Sequence, residues 1–411
     1  MRVELVTIGN ELLLGFTVDT NGAEIARALS AVGVEVVRRT AAPDRAEEIA
    51  AAVADGLRRT GAVLTTGGLG PTRDDVSKKA VADLYGVPLE FDEVVWSDIV
   101  SRFARAQRAP AAANRSQAEV PRGATVLRNK WGTAPGLWLD GELGLTVMLP
   151  GVPPEMRKLL ELEVLPRLAA RASGSVVRSL VVRTTAIPES TLAERMGEIE
   201  REIAPLTVAY LPSTEGVDLR ATAWGMGPGE ADRRLRAAAD LLRERAGEHV
   251  YGEGDADLAA VVLEHARRAG LSLGSAESCT GGLVGGRLTD VPGSSDVFAG
   301  GVICYSNRLK VELLGVPPDL LAEHGAVSEA SARAMAEGAR TRMGVDVAVS
   351  VTGIAGPGGG TPEKPVGTVW FAVASPGATE TRRIVFLGSR REIRDRAAQT
   401  ALFLVLRRLP A

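Results

Sequence analysis

The sequence predicts an α/β protein: a parallel-sheet domain at each end and a small α+β segment between them. Two observations of order carry this. Strand-like and helix-like runs alternate up to about residue 172 and again after residue 255, the order that builds a parallel sheet covered by helices. Between those limits the order becomes βαββαβ, which suits a small sandwich. Size agrees: 411 residues, 45% hydrophobic and 24% charged, supply two or three cores at roughly 150 residues each and exclude a disordered chain. The expected domains are residues 1–172, 173–254 and 255–411.

In the first segment VELVTIG reads as a strand, TNGAEIARALSAVG as a helix, VEVVRRT as a strand, RAEEIAAAVADGLRRTG as a helix and AVLTT as a buried strand. The helix VSKKAVADLYG follows, then a strand at TVMLPG, a helix at PPEMRKLLELEVLPRL and a linker at RASGS. The middle segment runs SLVVRTT, helix ESTLAERMGEIEREI, strands LTVAY and VDLRATAW, helix EADRRLRAAADLLRERAG and strand HVYG. GEGDAD reads as a second linker. The helix DLAAVVLEHARRAG, with Gly270 as its C-terminal cap, the strand LSLGSA and the closing helix REIRDRAAQTALFLVLRRL mark the last domain.

Charge is balanced, with 48 Lys and Arg against 51 Asp and Glu, so no single-sign field points to nucleic acid or anionic lipid. Residues 176–252 have ten Arg and no Lys against twelve acidic residues and lack the basic stripe that phosphate binding needs. Glu4 interrupts the apolar core a secretory signal requires, and no run approaches roughly 18 apolar residues. A cytoplasmic protein with no membrane and no nucleic-acid partner is expected. Cys279 and Cys304 are too few for a disulfide framework, and His249, His265 and His324 lack metal-ligand spacing. Only six lysines occur, Lys78, Lys79, Lys130, Lys158, Lys310 and Lys364, so a lysine inside a motif stands out.

Two motif-rich stretches follow strands. AVLTT runs into Gly67, Gly68, Leu69, Gly70, Pro71, Thr72, Arg73, Asp74 and Asp75, a glycine turn before a helix that can offer backbone amides to phosphate. No Gly-Lys-Ser/Thr occurs, so this is not a P-loop, and Lys78 and Lys79 come too late to serve it. Adjacent carboxylates beside such a cradle favour a divalent cation; Asp74 or Asp75 capping the helix is the simpler alternative. In the last domain LSLGSA leads into Glu277, Ser278, Cys279, Thr280, Gly281 and Gly282, which puts a hydroxyl at a strand-to-helix turn where an acyl-transfer nucleophile and its oxyanion donors belong. Cys279 is the rival nucleophile, and a helix cap is the plain reading of Ser278. Tyr305 and Lys310 sit five apart across another strand-to-helix junction; a buried Lys can act as a base and an Arg cannot. Thr352, Gly353, Gly356, Pro357 and Gly358 close a strand as a second cradle, and Arg390 begins the last helix, where it can grip phosphate.

GNELLLGFTVDTN, TTGGLGPTRDD, NKWGTAPG and LPGVPPEM resemble the molybdopterin-binding-type domain that opens the competence/damage-inducible protein A family. AESCTGG, PGSS, YSNRLK, HGAVSE, TGIAGPGGGTPEKPVGTVW and GSR resemble the nicotinamide-nucleotide amidase domain that ends it. The middle segment resembles that family's KH-like module, without a GXXG clamp, and is expected to link or dimerise, giving a homodimer. The resemblance implies deamidation of nicotinamide mononucleotide in pyridine-nucleotide salvage. Ser278 would be the nucleophile, Lys310 and Tyr305 its activators, Arg390 a nucleotide-binding or assisting group, and Thr280, Gly281, Thr352, Gly353 and Gly356 substrate-binding residues, with no cofactor. It also implies ADP-ribose pyrophosphatase activity at the N-terminal site. There Gly67, Gly68, Gly70 and Thr72 would hold the diphosphate, and Asp74, Asp75 and Glu11, with Asp19 beside them, a divalent metal of cobalt or magnesium type. The competing class is a molybdopterin- or nucleotide-binding protein, or a competence adaptor without N-terminal chemistry.

Overall fold

The computed structural model describes residues 1–172, 174 and 176–410; Ser173 and Ser175 of the expected RASGS linker lie outside that set. The first sheet contains β1 (Arg2–Ile8), β2 (Glu35–Ala42) and β3 (Ala62–Thr66). A two-stranded ribbon of β4 (Leu89–Phe91) and β5 (Glu119–Pro121) stands apart, and β6 (Thr125–Leu127), β7 (Gly136–Gly141) and β8 (Gly144–Leu149) return to the main sheet. Its order is β2-β1-β3-β8-β7-β6, parallel from β2 to β8 and antiparallel over β7 and β6. The central strands bury both faces, as parallel strands covered by helices must. Leu5, Leu64 and Val147 pack in one layer with Ile25, Leu29 and Met156. Val6, Val63 and Met148 pack in the other with Ile49, Val53 and Leu57. The helix Ala46–Thr60 carries Glu47 and Glu48 in its first turn, Arg58 and Arg59 in its last, and left-handed Gly61 as its cap, so its charges oppose its dipole at both ends.

The middle segment forms β9 (Val176–Thr184), β10 (Thr207–Pro212), β11 (Val217–Met226) and β12 (Val250–Glu253), paired in the order β10-β11-β9-β12. Its first helix is not continuous: it runs Glu189–Met196, breaks at Gly197 with φ +55°, and resumes over Ile199–Glu202. The GEGDAD stretch is not a free linker either. Gly252 and Glu253 belong to β12, the Gly254 amide donates to Val181 O at 2.9 Å, and Asp257 caps the next helix through the amides of Ala259 and Ala260.

The last sheet holds β13 (Leu273–Glu277), β14 (Phe298–Ile303), β15 (Val347–Gly353), β16 (Thr368–Ser375) and β17 (Ala378–Val385). Its order is β14-β13-β15-β16-β17, with β14, β13 and β15 parallel and the rest antiparallel. One layer sets the helix Arg390–Arg408, through Ala397, Ala401 and Leu402, with Val262 and Leu263 of Leu258–Ala269 and with Val349, Val351 and Phe371 of the sheet. The other places Met335 and Ala339 of Glu329–Met343 with Ala276 and Ala348.

The described residues divide into two compact units, Met1–Arg178 with Ala223–Arg233, and Ser179–Thr222 with Arg234–Ala411. Most of the middle segment therefore belongs with the last domain. Gln399 Nε2 donates to Thr185 Oγ1 at 3.3 Å, the His249 ring stacks on Phe403 at 6.2 Å, and Arg407 pairs with Glu248 at 2.9 Å. Among the described residues no helix is long and apolar enough to cross a membrane.

Candidate functional site

In the last domain β13 is flanked on both sides by parallel strands, so the carboxyl ends of β13, β14 and β15 share the edge where such sheets leave a crevice. Ser278 follows β13, Cys304 and Tyr305 follow β14, and Thr352 and Gly353 end β15. The helix Asn307–Leu314, capped by Ser306, carries Lys310 back into this edge.

Lys310 is the largest fully buried side chain, 1% exposed. Its Nζ lies 3.1 Å from Ser278 Oγ, 2.9 Å from Cys304 O and 3.3 Å from Tyr305 O. Two carbonyls thus take two N–H bonds, and the third position of the nitrogen faces the serine oxygen. Burial pushes the Lys310 ammonium below the ordinary lysine value, because a charge removed from water is disfavoured. In its neutral form an amine in this position is able to take a proton from the Ser278 hydroxyl across the contact it already makes.

Burial drives the Cys279 thiol up to about 12, which disfavours a thiolate there at neutral pH. None of the three histidines is a partner: His249 Nδ1 lies 3.1 Å from Thr185 O. His265 Nδ1 lies 3.4 Å from Pro410 O, and His324 Nε2 lies 3.7 Å from the Glu323 carboxylate.

Two groups beside Lys310 and Ser278 are already engaged within the fold. Tyr305 is 62% exposed and its phenol is not a partner of Ser278; it helps Lys310 through its carbonyl, while its hydroxyl accepts from Arg390 Nη2 at 3.3 Å. The Ser278 amide is not a free oxyanion donor, because it donates to Val351 O at 2.9 Å and extends the pairing of β13 with β15. Thr280 Oγ1, in contrast, is buried with no hydrogen-bond partner among the described residues.

Arg390 begins the last helix, behind a capping box of Ser389 and Glu392, and its Nη1 donates to Gly356 O at 2.7 Å. Thr352 Oγ1 donates to Ala326 O at 2.7 Å, fixing the cradle to the HGAVSE loop. At Gly353 an added Cβ would press against Thr368 O at 2.8 Å, so the strand end closes without a side chain.

Two residues not assigned from sequence hold the nucleophile loop. Glu277, 1% exposed, accepts from the amides of Gly282 at 2.9 Å, Val284 at 3.1 Å and Gly285 at 2.8 Å, strapping the start of the next helix over Ser278. Arg394, one turn after Arg390, donates to Cys279 O at 3.1 Å and Thr280 O at 2.8 Å. The helical spacing of Arg390 and Arg394 was the available signal.

The N-terminal motifs gather at the carboxyl ends of β1 and β3, where the strand order reverses. A cleft of about 140 Å3 is lined by Thr7, Ile8, Glu11, Asp19, Asn21, Thr66 and Gly151 among others. Asn21 Nδ2 donates to Gly151 O at 2.8 Å, but its Oδ1 is buried without a partner. Gly67 and Gly68 have φ of +111° and +67° and turn the chain away from β3; the Ser77 amide and hydroxyl donate to their carbonyls. The following helix, Ser77–Tyr85, has Val76 at its N-cap and no side-chain cap, so neither Asp74 nor Asp75 caps it.

Instead Asp75 accepts from the Thr72 amide at 2.8 Å and from its hydroxyl, which closes the turn after Gly70. Asp74 is exposed, and the Thr72 side chain holds its carboxyl below the usual carboxylate range. Asp19 caps its own helix through Gly22 N and pairs with Arg39 at 2.7 Å. Among the described residues no three His, Cys, Asp or Glu side chains form a group able to hold a metal, so Asp74, Asp75 and Glu11 do not fit the expected ion as a ready donor set. Lys78 is not a surface charge: it is 6% exposed, burial lowers it to about 8, and it donates to Ser116 O.

Three family models match the chain: a probable molybdopterin binding domain over residues 4–170, the damage-inducible protein CinA KH domain over 179–252, and the CinA C-terminal domain over 255–409. A CinA-like protein of Gemmatimonas aurantiaca is 52% identical over 98% of this chain and 95% of its own. A putative competence-damage inducible protein of Symbiobacterium thermophilum is 43% identical over 100% of this chain and 99% of its own. Among solved structures, a competence/damage inducible protein from Agrobacterium tumefaciens is 42% identical, covering 36% of this chain and 92% of its own with a TM-score of 0.36.

Proposed function

The chain belongs to the CinA family, and from that premise we propose that its last domain is an amidohydrolase that converts nicotinamide mononucleotide and water to nicotinic acid mononucleotide and ammonia. The observation that carries the reading is the buried Lys310 amine 3.1 Å from Ser278 Oγ, with its other bonds fixed on two carbonyls.

Ser278 Oγ attacks the carboxamide carbon as its proton passes to Lys310 Nζ, and the carbonyl electron pair moves onto oxygen. Collapse of the adduct expels the amine, which takes the proton from Lys310 and leaves as ammonia. Water then attacks the ester, again losing its proton to Lys310, and the carboxylate departs as the serine hydroxyl is restored. Thr280 Oγ1, a donor with no acceptor of its own, is the hydroxyl on this loop free to meet the developing oxyanion. Arg390 uses two of its donors on Gly356 O and the Tyr305 hydroxyl and keeps others for the substrate phosphate.

The experiment is to incubate the full chain with nicotinamide mononucleotide and measure ammonia and nicotinic acid mononucleotide together. Formation of both in equal amounts is the expected result; binding without ammonia would favour the rival class, a binding protein or adaptor.

The N-terminal cleft supports a second reading, a site for a nucleoside diphosphate such as ADP-ribose. The cleft lies at the reversal of strand order, and the Asn21 side-chain oxygen in its wall, unpaired among the described residues, supports binding of a group with a hydroxyl to donate, such as a ribose. Because the carboxylates do not fit a divalent ion as they stand, no cleavage step is assigned to one.

A further inference from the structure

One sizeable cavity of the second unit lies away from Ser278. About 500 Å3 of space lies between the middle segment and the last domain, well within the range of small-molecule sites. Ile187, Pro188, Pro212, Ile384, Phe386 and Leu387 make it largely apolar. Arg396 reaches it from the last helix, half-buried; among the described residues no oxygen accepts a hydrogen bond from its guanidinium. A partly desolvated guanidinium on an apolar wall is a ready partner for one carboxylate, sulfonate or phosphate ester. Two carboxylates also line it, Glu189, exposed, and Glu215, paired with Arg183 at 2.8 Å, which disfavours a polyanion.

The cavity is built rather than incidental. Gln399, 2% exposed, forms part of the wall and bonds both Thr185 and Arg287. Thr185 Oγ1 in turn donates to Glu215 O at 2.6 Å. Ala186, also in the wall, is held at φ +58°, a left-handed conformation that costs a non-glycine residue energy and that such sites retain.

Two walls also lead to the Ser278 site. The helix bearing Arg396 and Gln399 bears Arg394, which holds Cys279 O and Thr280 O, and Arg390, which holds Gly356 O. The Phe386 amide donates to Gly367 O at 2.9 Å, and the Gly367 amide to Ile354 O at 2.7 Å, inside the second cradle.

We propose that this cavity is an effector site for a small molecule with an apolar or aromatic body and a single acidic group, which Arg396 receives, and that occupancy is felt at Ser278 through the last helix. The effector role rests on the amidase reading; the binding site does not. The probe is 8-anilinonaphthalene-1-sulfonate, an aromatic body with one sulfonate, titrated by fluorescence against the full chain while ammonia release from nicotinamide mononucleotide is followed in the same samples. Saturable binding is expected, with the dissociation constant raised at least about tenfold by Arg396→Met, the loss of a charge-assisted contact. Binding should be blocked by Val385→Trp, which fills the cavity. Turnover should change at least about fivefold as the site fills, and not in the two variants. Binding unaffected by both substitutions, or displaced by nicotinamide mononucleotide, would overturn the site. Binding that both weaken, with turnover unchanged, would overturn the effector role. A chain that binds the probe at Arg396 but never releases ammonia sinks the amidase reading and leaves the site standing.

Discussion

Lys310→Met removes the amine but keeps the unbranched stem, so it separates chemistry from packing at the buried centre. Loss of a positioned general base costs about 10²–10⁴ in rate, equivalent to about 3–5 kcal/mol of barrier. The carbonyls of Cys304 and Tyr305 lose their donor, at about 1–3 kcal/mol each, and the end of a buried amine's desolvation offsets part of that. The variant is therefore expected to fold, at reduced stability, and to release ammonia from nicotinamide mononucleotide at least a hundredfold more slowly. The pH profile gives a second readout. Because burial lowers the folded Lys310 pKa, the neutral base is populated below the ordinary lysine value, and kcat/KM should rise with pH along a limb displaced downward from 10.5. Lys310→Arg should be as inactive as Lys310→Met, since a guanidinium keeps its proton. A folded Lys310→Met protein with more than a tenth of the parent rate, or a limb at the ordinary lysine value, would refute the reasoning.

The same shift affects folding. The unfolded chain binds the Lys310 proton more tightly than the folded one, so its contribution to stability is present above the unfolded value of 10.5 and is lost as pH falls through the lowered folded pKa; chemical denaturation across that window in the parent and in Lys310→Met should differ in slope. Glu277→Gln keeps the shape of the strap but replaces an acceptor of three amides with a group carrying its own donors; kcat should fall about ten- to a hundredfold with KM little changed, and an unchanged kcat would make Glu277 only a core anchor. A fragment beginning at residue 256 keeps the Ser278 and Lys310 elements but loses the contacts of Gln399, Phe403 and Arg407 with the middle segment; it should deamidate but melt below the full chain, and an inactive soluble fragment would show that the site needs the middle segment. A chelator should leave ammonia release unchanged, because a Ser and Lys mechanism uses no metal, whereas Asp75→Asn should weaken ADP-ribose binding by loosening the Thr72 turn; chelator-sensitive deamidation would contradict the mechanism.

The alternation of strands and helices was legible because central parallel strands such as AVLTT are continuous apolar runs and helices such as Ala46–Thr60 carry opposite charges at their ends. The antiparallel hairpin of β7 and β8 was half legible: TVMLPG stood out as an apolar run, but its partner GLWLDG closes on exposed Asp140 and Gly141, and the turn rests on Gly144 at φ +119°. At the site, Lys310 could be named because a lysine is rare in this chain, and Ser278 over Cys279 only through the family resemblance. Arg394 could not, because it is one of many arginines and its contacts lie 114 and 115 residues away. Glu277 was visible beside Ser278, but its role comes from amides five to eight residues later that only the folded loop brings to it. Asp74 and Asp75 looked like a metal pair because adjacency in sequence says nothing of direction; in the fold one closes a turn and the other faces solvent.

The central claim is that Ser278, and not the cysteine beside it, is the nucleophile. Ammonia release from nicotinamide mononucleotide by Ser278→Ala and Cys279→Ala full-length chains, measured side by side with the parent, tests it most directly. Ser278→Ala should be folded and without detectable turnover, and Cys279→Ala should keep most of the parent rate, because a thiol pushed up to about 12 supplies no thiolate at neutral pH. An active Ser278→Ala protein, or a Cys279→Ala protein that is folded and dead, would contradict the account.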